Sequence, residues 1–142
     1  KKYFMPKIEG EYIVKLIFDN NIKDCSYMFA GCKNITNINF INFNIKNIIN
    51  MKYMFYECKI ENINLFTFNT ENVINMEYMF AKCDNLKTID LSSFNTNNVK
   101  DVTDMFKGCF SLKKDNIKIN KNSDKILNEN SFNELDEGCL IY

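Results

Sequence analysis

The side chains with the most chemical potential in this sequence are six cysteines, at positions 25, 32, 58, 83, 109 and 139, and no histidine accompanies them. Zinc sites draw on cysteines at Cys-x-x-Cys spacing, commonly with histidine, and the sequence contains neither. Without histidine, a Ser-His or Cys-His nucleophile pair cannot be built. The four glycines are scattered, so no Gly-rich phosphate loop exists. The carboxylates of Asp101 and Asp104 fall between apolar positions and read as solvated. Asn34-Ile35-Thr36 fits a glycosylation sequon, but one match in so Asn-rich a chain carries little weight. The expectation is a non-enzymatic protein with no catalytic residue, no metal and no cofactor.

Four of the cysteines keep time with something larger. Met-Phe pairs occur at Met28-Phe29, Met54-Phe55, Met79-Phe80 and Met105-Phe106, in steps of 26, 25 and 26 residues. Cys32, Cys58, Cys83 and Cys109 each follow the Phe by three. Phe40, Leu65 and Leu91 precede the next Met by fourteen; Phe43, Phe68 and Phe94 precede it by eleven. Ile48, Val73 and Val99, then Met51, Met76 and Val102, extend the register. A recurring apolar column is a stacked core, so the Met, Phe and Cys columns are assigned to it. Stacked rungs lie about 5 Å apart, a separation a disulfide can span. A small buried thiol at every rung explains the column more simply. Cys25 and Cys139 lie outside it.

Stepping from columns to elements, Ile38-x-Phe40, Ile63-x-Leu65 and Ile89-x-Leu91 alternate apolar and polar, the mark of a short half-buried strand. Beyond Phe94 the apolar positions fall at threes and fours (Val99, Val102, Met105-Phe106, Cys109), which predicts a helical or irregular return. The one missing residue falls between Cys58 and Ile60, where a loop tolerates it. The expected fold is an α/β repeat, a single domain in which neither element buries its apolar face alone. Residues 1–27 form an N-terminal cap and shortened first coil, with Leu16-x-Phe18 as first strand. Residues 28–120 form the repeat coils, and Ile117-x-Ile119 is a last repeat strand after a two-residue insertion. Residues 121–142 form a C-terminal cap, a polar helix over 122–130 followed by a strand at Cys139-Leu140-Ile141.

The bulk numbers agree with one globular domain: 142 residues, 46% hydrophobic, 25% charged and 14% aromatic. Eighteen basic and eighteen acidic side chains cancel, with no basic stripe for nucleic acid. No apolar run reaches the roughly 18–20 residues that cross a bilayer. Asn, Ile and Lys are abundant, as in the product of an AT-rich gene.

The copy Met79-Phe80-x-x-Cys83-x-x-Leu86-x-x-Ile89-Asp90-Leu91-Ser92-Ser93-Phe94-Asn95-Thr96-x-Asn98-Val99 resembles the BspA-type leucine-rich repeat of bacterial and protist surface proteins. The likeness runs from about Val14 to Ile119, with Ile45 in place of Thr, Val102 in place of Met, and the Cys58 copy one residue short. It implies a right-handed solenoid of short parallel strands, capped at both ends. For function it implies surface display or secretion, with adhesion to host or partner proteins.

With Ile38, Phe40 and their equivalents inward, alternation turns two columns outward. One is Ile17, Asn39, Asn64, Asp90 and Lys118; the other is Asp19, Ile41, Phe66, Ser92 and Asn120. Ile41 and Phe66 are apolar where a solvated face is polar, which marks this strand face for partner binding. The column Asn47, Asn72 and Asn98 is expected to satisfy backbone groups instead. A self-associating structural subunit, or a cytoplasmic scaffold, is the alternative to a binding module.

Overall fold

The computed structural model describes residues 22–40 and 46–132. Four short strands form: β1 (Asn37–Asn39), β2 (Asn62–Asn64), β3 (Ile89–Asp90) and β4 (Ile117–Lys118). β1 pairs in parallel with β2, Ile38 opposite Ile63, and β3 pairs in parallel with β4, Ile89 opposite Ile117. Isolated parallel bridges link Asp24 to Asn50, Asn50 to Asn75 and Asn75 to Asp101. Every one of these partners lies one repeat away. The alternation is visible along β2 and beyond: Asn62, Asn64 and Phe66 are exposed, Ile63 is half-buried and Leu65 is buried.

The return takes the irregular form. Among the described residues no α-helix forms, and the Met-Phe segments are chains of tight turns. Alternate amides leave the turn for the next repeat: Tyr53, Phe55 and Glu57 donate to the carbonyls of Glu77, Met79 and Ala81 at 2.9–3.0 Å. The amides between them close local turns, Met54 to Met51, Tyr56 to Tyr53 and Cys58 to Phe55. The same double pattern runs through residues 27–32 and 78–83. The reason is backbone conformation. Tyr27, Tyr53, Tyr78 and Asp104 have φ of 53–56°, and Gly31, Glu57, Lys82 and Gly108 have φ of 57–73°. A left-handed residue ends a helix within a turn and costs about 1–2 kcal/mol when it is not glycine. Here the cost is offset by hydrogen bonds to the neighbouring repeat, each worth about 0.5–1.5 kcal/mol.

The core lies between these turns and the strands. Phe29, Phe55, Phe80, Phe106 and Phe132 stack ring on ring with centroids 5.2–5.8 Å apart. Phe40 packs edge-on against Phe29, Phe55 and Phe68. Met54, Met79 and Met105 are fully buried with them, as are Cys58, Cys83 and Cys109. Met28 and Cys32, also assigned to the core, are half-buried and pack against its edge. Burying each such side chain contributes about 1.5–3 kcal/mol, and an aromatic pair adds about 0.5–1.5 kcal/mol. Phe132, 26 residues past Phe106, is a fifth member of the column.

Two expectations are corrected. The polar helix over 122–130 is instead two 3₁₀ turns, Asp124–Leu127 and Glu129–Ser131. Asn128 is extended between them, and its side chain accepts the Ser131 amide. Asp104 is not solvated but 3% exposed. It occupies the tyrosine column, where its short side chain lies below the surface, Oδ2 3.5 Å from the Lys107 amine. The carboxylate beside the Tyr78 phenol, with some burial, pushes that phenol up to about 12. The strands expected at 16–18 and 139–141, with Ile17, Asp19, Ile41, Phe43 and Cys139, lie outside the described residues.

Candidate functional site

The strand face is shaped by short-range hydrogen bonds. Asn64 Oδ1 accepts the amide of Phe66 at 3.0 Å, and Asp90 Oδ1 accepts the amide of Ser92 at 2.9 Å. Each is an Asx turn, the local ring that Asn and Asp form two residues on. It bends the chain away from the strand and leaves the next outward side chain standing clear. In one repeat that side chain is Phe66, 81% exposed; in the next it is Ser92, half-buried and bonded to Asp90. Between them lies a hollow of about 260 Å³, walled by Asn64, Phe66, Asp90 and Ser92 and floored by Ile63, Leu65 and Ser93.

Polar groups around the hollow are fixed. Ser92 Oγ donates to Asp90 Oδ1, and Ser93 Oγ donates to the Leu65 carbonyl at 3.0 Å. Lys118 Nζ sits 2.8 Å from Asp90 Oδ2. That ammonium, with the Ser92 hydroxyl and amide, lowers the Asp90 carboxyl to about 2. Asn120 Nδ2 donates to the Ser92 carbonyl. Of the predicted face, Asn64, Phe66, Asp90 and Ser92 are thus brought together. Asn39 pairs with Asn64 through the β1–β2 ladder; Ile17 and Ile41 lie outside the described residues.

The thiols are a poorer candidate. Cys25, Cys32, Cys58 and Cys83 carry free thiols. Cys58, Cys83 and Cys109 donate to the carbonyls of Phe29, Phe55 and Phe80 at 3.0–3.1 Å. Burial pushes Cys25 up to about 11 and Cys83 up to about 12, so both are protonated and unreactive. Cys32 and Cys58 act on each other, which lowers the Cys32 thiol and raises that of Cys58. No group of His, Cys, Asp and Glu suited to a metal ion occurs among the described residues.

Two surface columns were missed. Tyr27, Tyr53 and Tyr78 stack at 4.8 and 4.7 Å with rings 5° from parallel. The signal was the tripeptide Tyr-Met-Phe, repeated three times. Asp24, Asn50, Asn75 and Asp101 form a ladder in which each side chain accepts the amide two residues on, at 2.7–3.0 Å. Asn72 and Asn98, expected to satisfy backbone groups, donate to the carbonyls of Lys46 and Glu71 at 2.7 and 2.8 Å. A second shallow hollow, of about 360 Å³, lies among Lys23, Asn47, Ile49, Asn72 and Ile74. No helix among the described residues is long and apolar enough to cross a membrane.

The family model described as "Mycoplasma protein of unknown function, DUF285" matches residues 23–137, and the chain belongs to that family. No curated protein and no solved structure matches the chain.

Proposed function

We propose that this DUF285-family chain is a non-enzymatic binding module, a leucine-rich-repeat-like solenoid that offers its strand face to a protein partner, in the setting of surface adhesion. One observation carries the reading. Phe66 is 81% exposed in the turn that follows β2, whereas Leu65 and Phe68 on either side of that turn are 1% and 3% exposed. Covering that ring on binding is worth about 1.5–3 kcal/mol. The stacked architecture is supported by backbone pairing one repeat apart, from Tyr27 with Lys52 to Phe106 with Ser131.

The test is a paired capture experiment with wild type and Phe66→Asp as baits, each first shown to melt alike. The module reading expects a partner held by wild type and released by the variant. Light scattering on the same samples expects a mass of 16.8 kDa that does not rise with concentration. Equal capture by both baits, with a mass that climbs, would replace the module by a self-associating subunit.

A further inference from the structure

We propose that the hollow beside Phe66 binds a pyranose ring, so that the partner of the strand face is recognised through a carbohydrate. The inference rests on the strand-face reading above and names its ligand class. A pyranose has one face of C–H bonds and a rim of hydroxyls, each able to donate once and accept twice. The site that fits it combines a bare aromatic ring with fixed donors and acceptors, and carries no net charge.

Phe66 supplies the ring. The core rings Phe29, Phe55, Phe80, Phe106 and Phe132 are covered by one another, whereas Phe66 faces the hollow that the small Ser92 also lines. The negative face of its π-system attracts polarised C–H groups. The rim supplies the rest. Asn64 uses Oδ1 on the Phe66 amide, which leaves the two Nδ2 protons to donate. Ser92 and Ser93 spend their protons on Asp90 and on the Leu65 carbonyl, so their oxygens face a ligand as acceptors. Asp90 is the one charged residue lining the hollow, and Lys118 neutralises it from 2.8 Å. A neutral ligand is therefore favoured over an acidic or basic peptide. Size points the same way: about 260 Å³ lies below the roughly 300–1,000 Å³ of sites for drug-sized molecules, so one ring is held. An apolar peptide anchor would want a dry, apolar pocket, not one rimmed by an amide, two hydroxyls and a carboxylate.

The experiment is amide NMR of the whole chain titrated with three probes: methyl β-D-galactopyranoside, methyl β-D-glucopyranoside and methyl 2-acetamido-2-deoxy-β-D-glucopyranoside. At least one is expected to shift the amides of Asn64, Phe66 and Ser92 along a saturating curve. A single ring on an open site implies a dissociation constant of about 1 mM or weaker. Phe66→Ala is expected to weaken that probe by about tenfold with the melting curve unchanged, and Phe66→Tyr to retain it. No saturable shift from any probe, or shifts indifferent to Phe66→Ala, overturns the proposal. Capture from an extract stripped of its glycans separates the two readings. A partner lost with Phe66→Asp but kept after deglycosylation removes the carbohydrate and leaves the strand face standing. Equal capture by both baits removes both.

Discussion

Phe80 and Phe66 are the same residue type on opposite sides of one backbone, and their substitutions separate core from site. Phe80 is fully buried, with Phe55 and Phe106 stacked on its two faces at 5.2 and 5.8 Å. Truncation to alanine is expected to destabilise the chain by about 3–5 kcal/mol, read from chemical denaturation. An unchanged midpoint would refute the stacked column. Phe66→Ala removes a ring that packs on little, so the change is expected within about 0.5 kcal/mol. Asp90 has a pH signature of its own. Its carboxyl, lowered to about 2 by Lys118 and Ser92, lies below the ordinary value of about 3.9. A lowered folded value means that the stabilising contribution is complete above about pH 4 and is lost as pH falls toward 2. Both partners are more than half exposed, so the effect on stability is small, and the carboxyl titration itself is the readout. Lys118→Met is expected to raise the Asp90 midpoint in a carbon-detected NMR titration; an unmoved midpoint would remove Lys118 as its main cause.

Of the helical or irregular return that the spacing allowed, the backbone takes the irregular form, and glycine tests it. Gly31 sits at φ 73° with nothing within 4 Å of where a Cβ would stand. Gly31→Ala therefore reports conformational strain alone, expected at about 1–2 kcal/mol in a denaturation midpoint. Gly108→Ala adds a contact of 3.3 Å with Lys82 Cγ and is expected to cost more. A neutral Gly31→Ala would mean that the turn relaxes to another conformation. Glycine announces such a position, but Tyr53, Glu57 and Lys82 take up the same left-handed backbone with nothing in their type to signal it. Apolar spacing at threes and fours therefore left helix and consecutive turns open as alternatives. The columns themselves were legible, because Phe55, Phe80 and Cys83 each recur at the interval that the backbone pairing requires. Phe66 was legible from alternation alone. The roles of Asn64 and Asp90 as turn-forming acceptors were hidden, since abundant Asn made any one of them look like background.

At the scale of the molecule, the described contacts run between repeats that are neighbours in sequence. Phe55 touches Phe29 and Phe80, Phe80 touches Phe106, and Phe106 touches Phe132. Side-chain pairs follow the same rule: Lys52 with Glu77, Lys59 with Asp84 and Lys82 with Glu57 each bridge adjacent repeats. The proposed one-dimensional stack would make stability a sum of unit terms and nearest-neighbour interfaces, in which local opening need not be global. Hydrogen exchange is the measurement that tells a stack from a single cooperative core. The amides of Phe55 and Phe80, bonded to Met79 and Met105 in the middle of the series, are expected to exchange most slowly, and that of Phe29, whose ring is 7% exposed, faster. Phe80→Ala then discriminates. In a stack it speeds exchange most in its own repeat and at its two interfaces, the Phe55 and Phe106 amides, and least in the repeat of Phe29. Equal acceleration at every slow amide would mean that the repeats open together, and the nearest-neighbour account of this chain would fall.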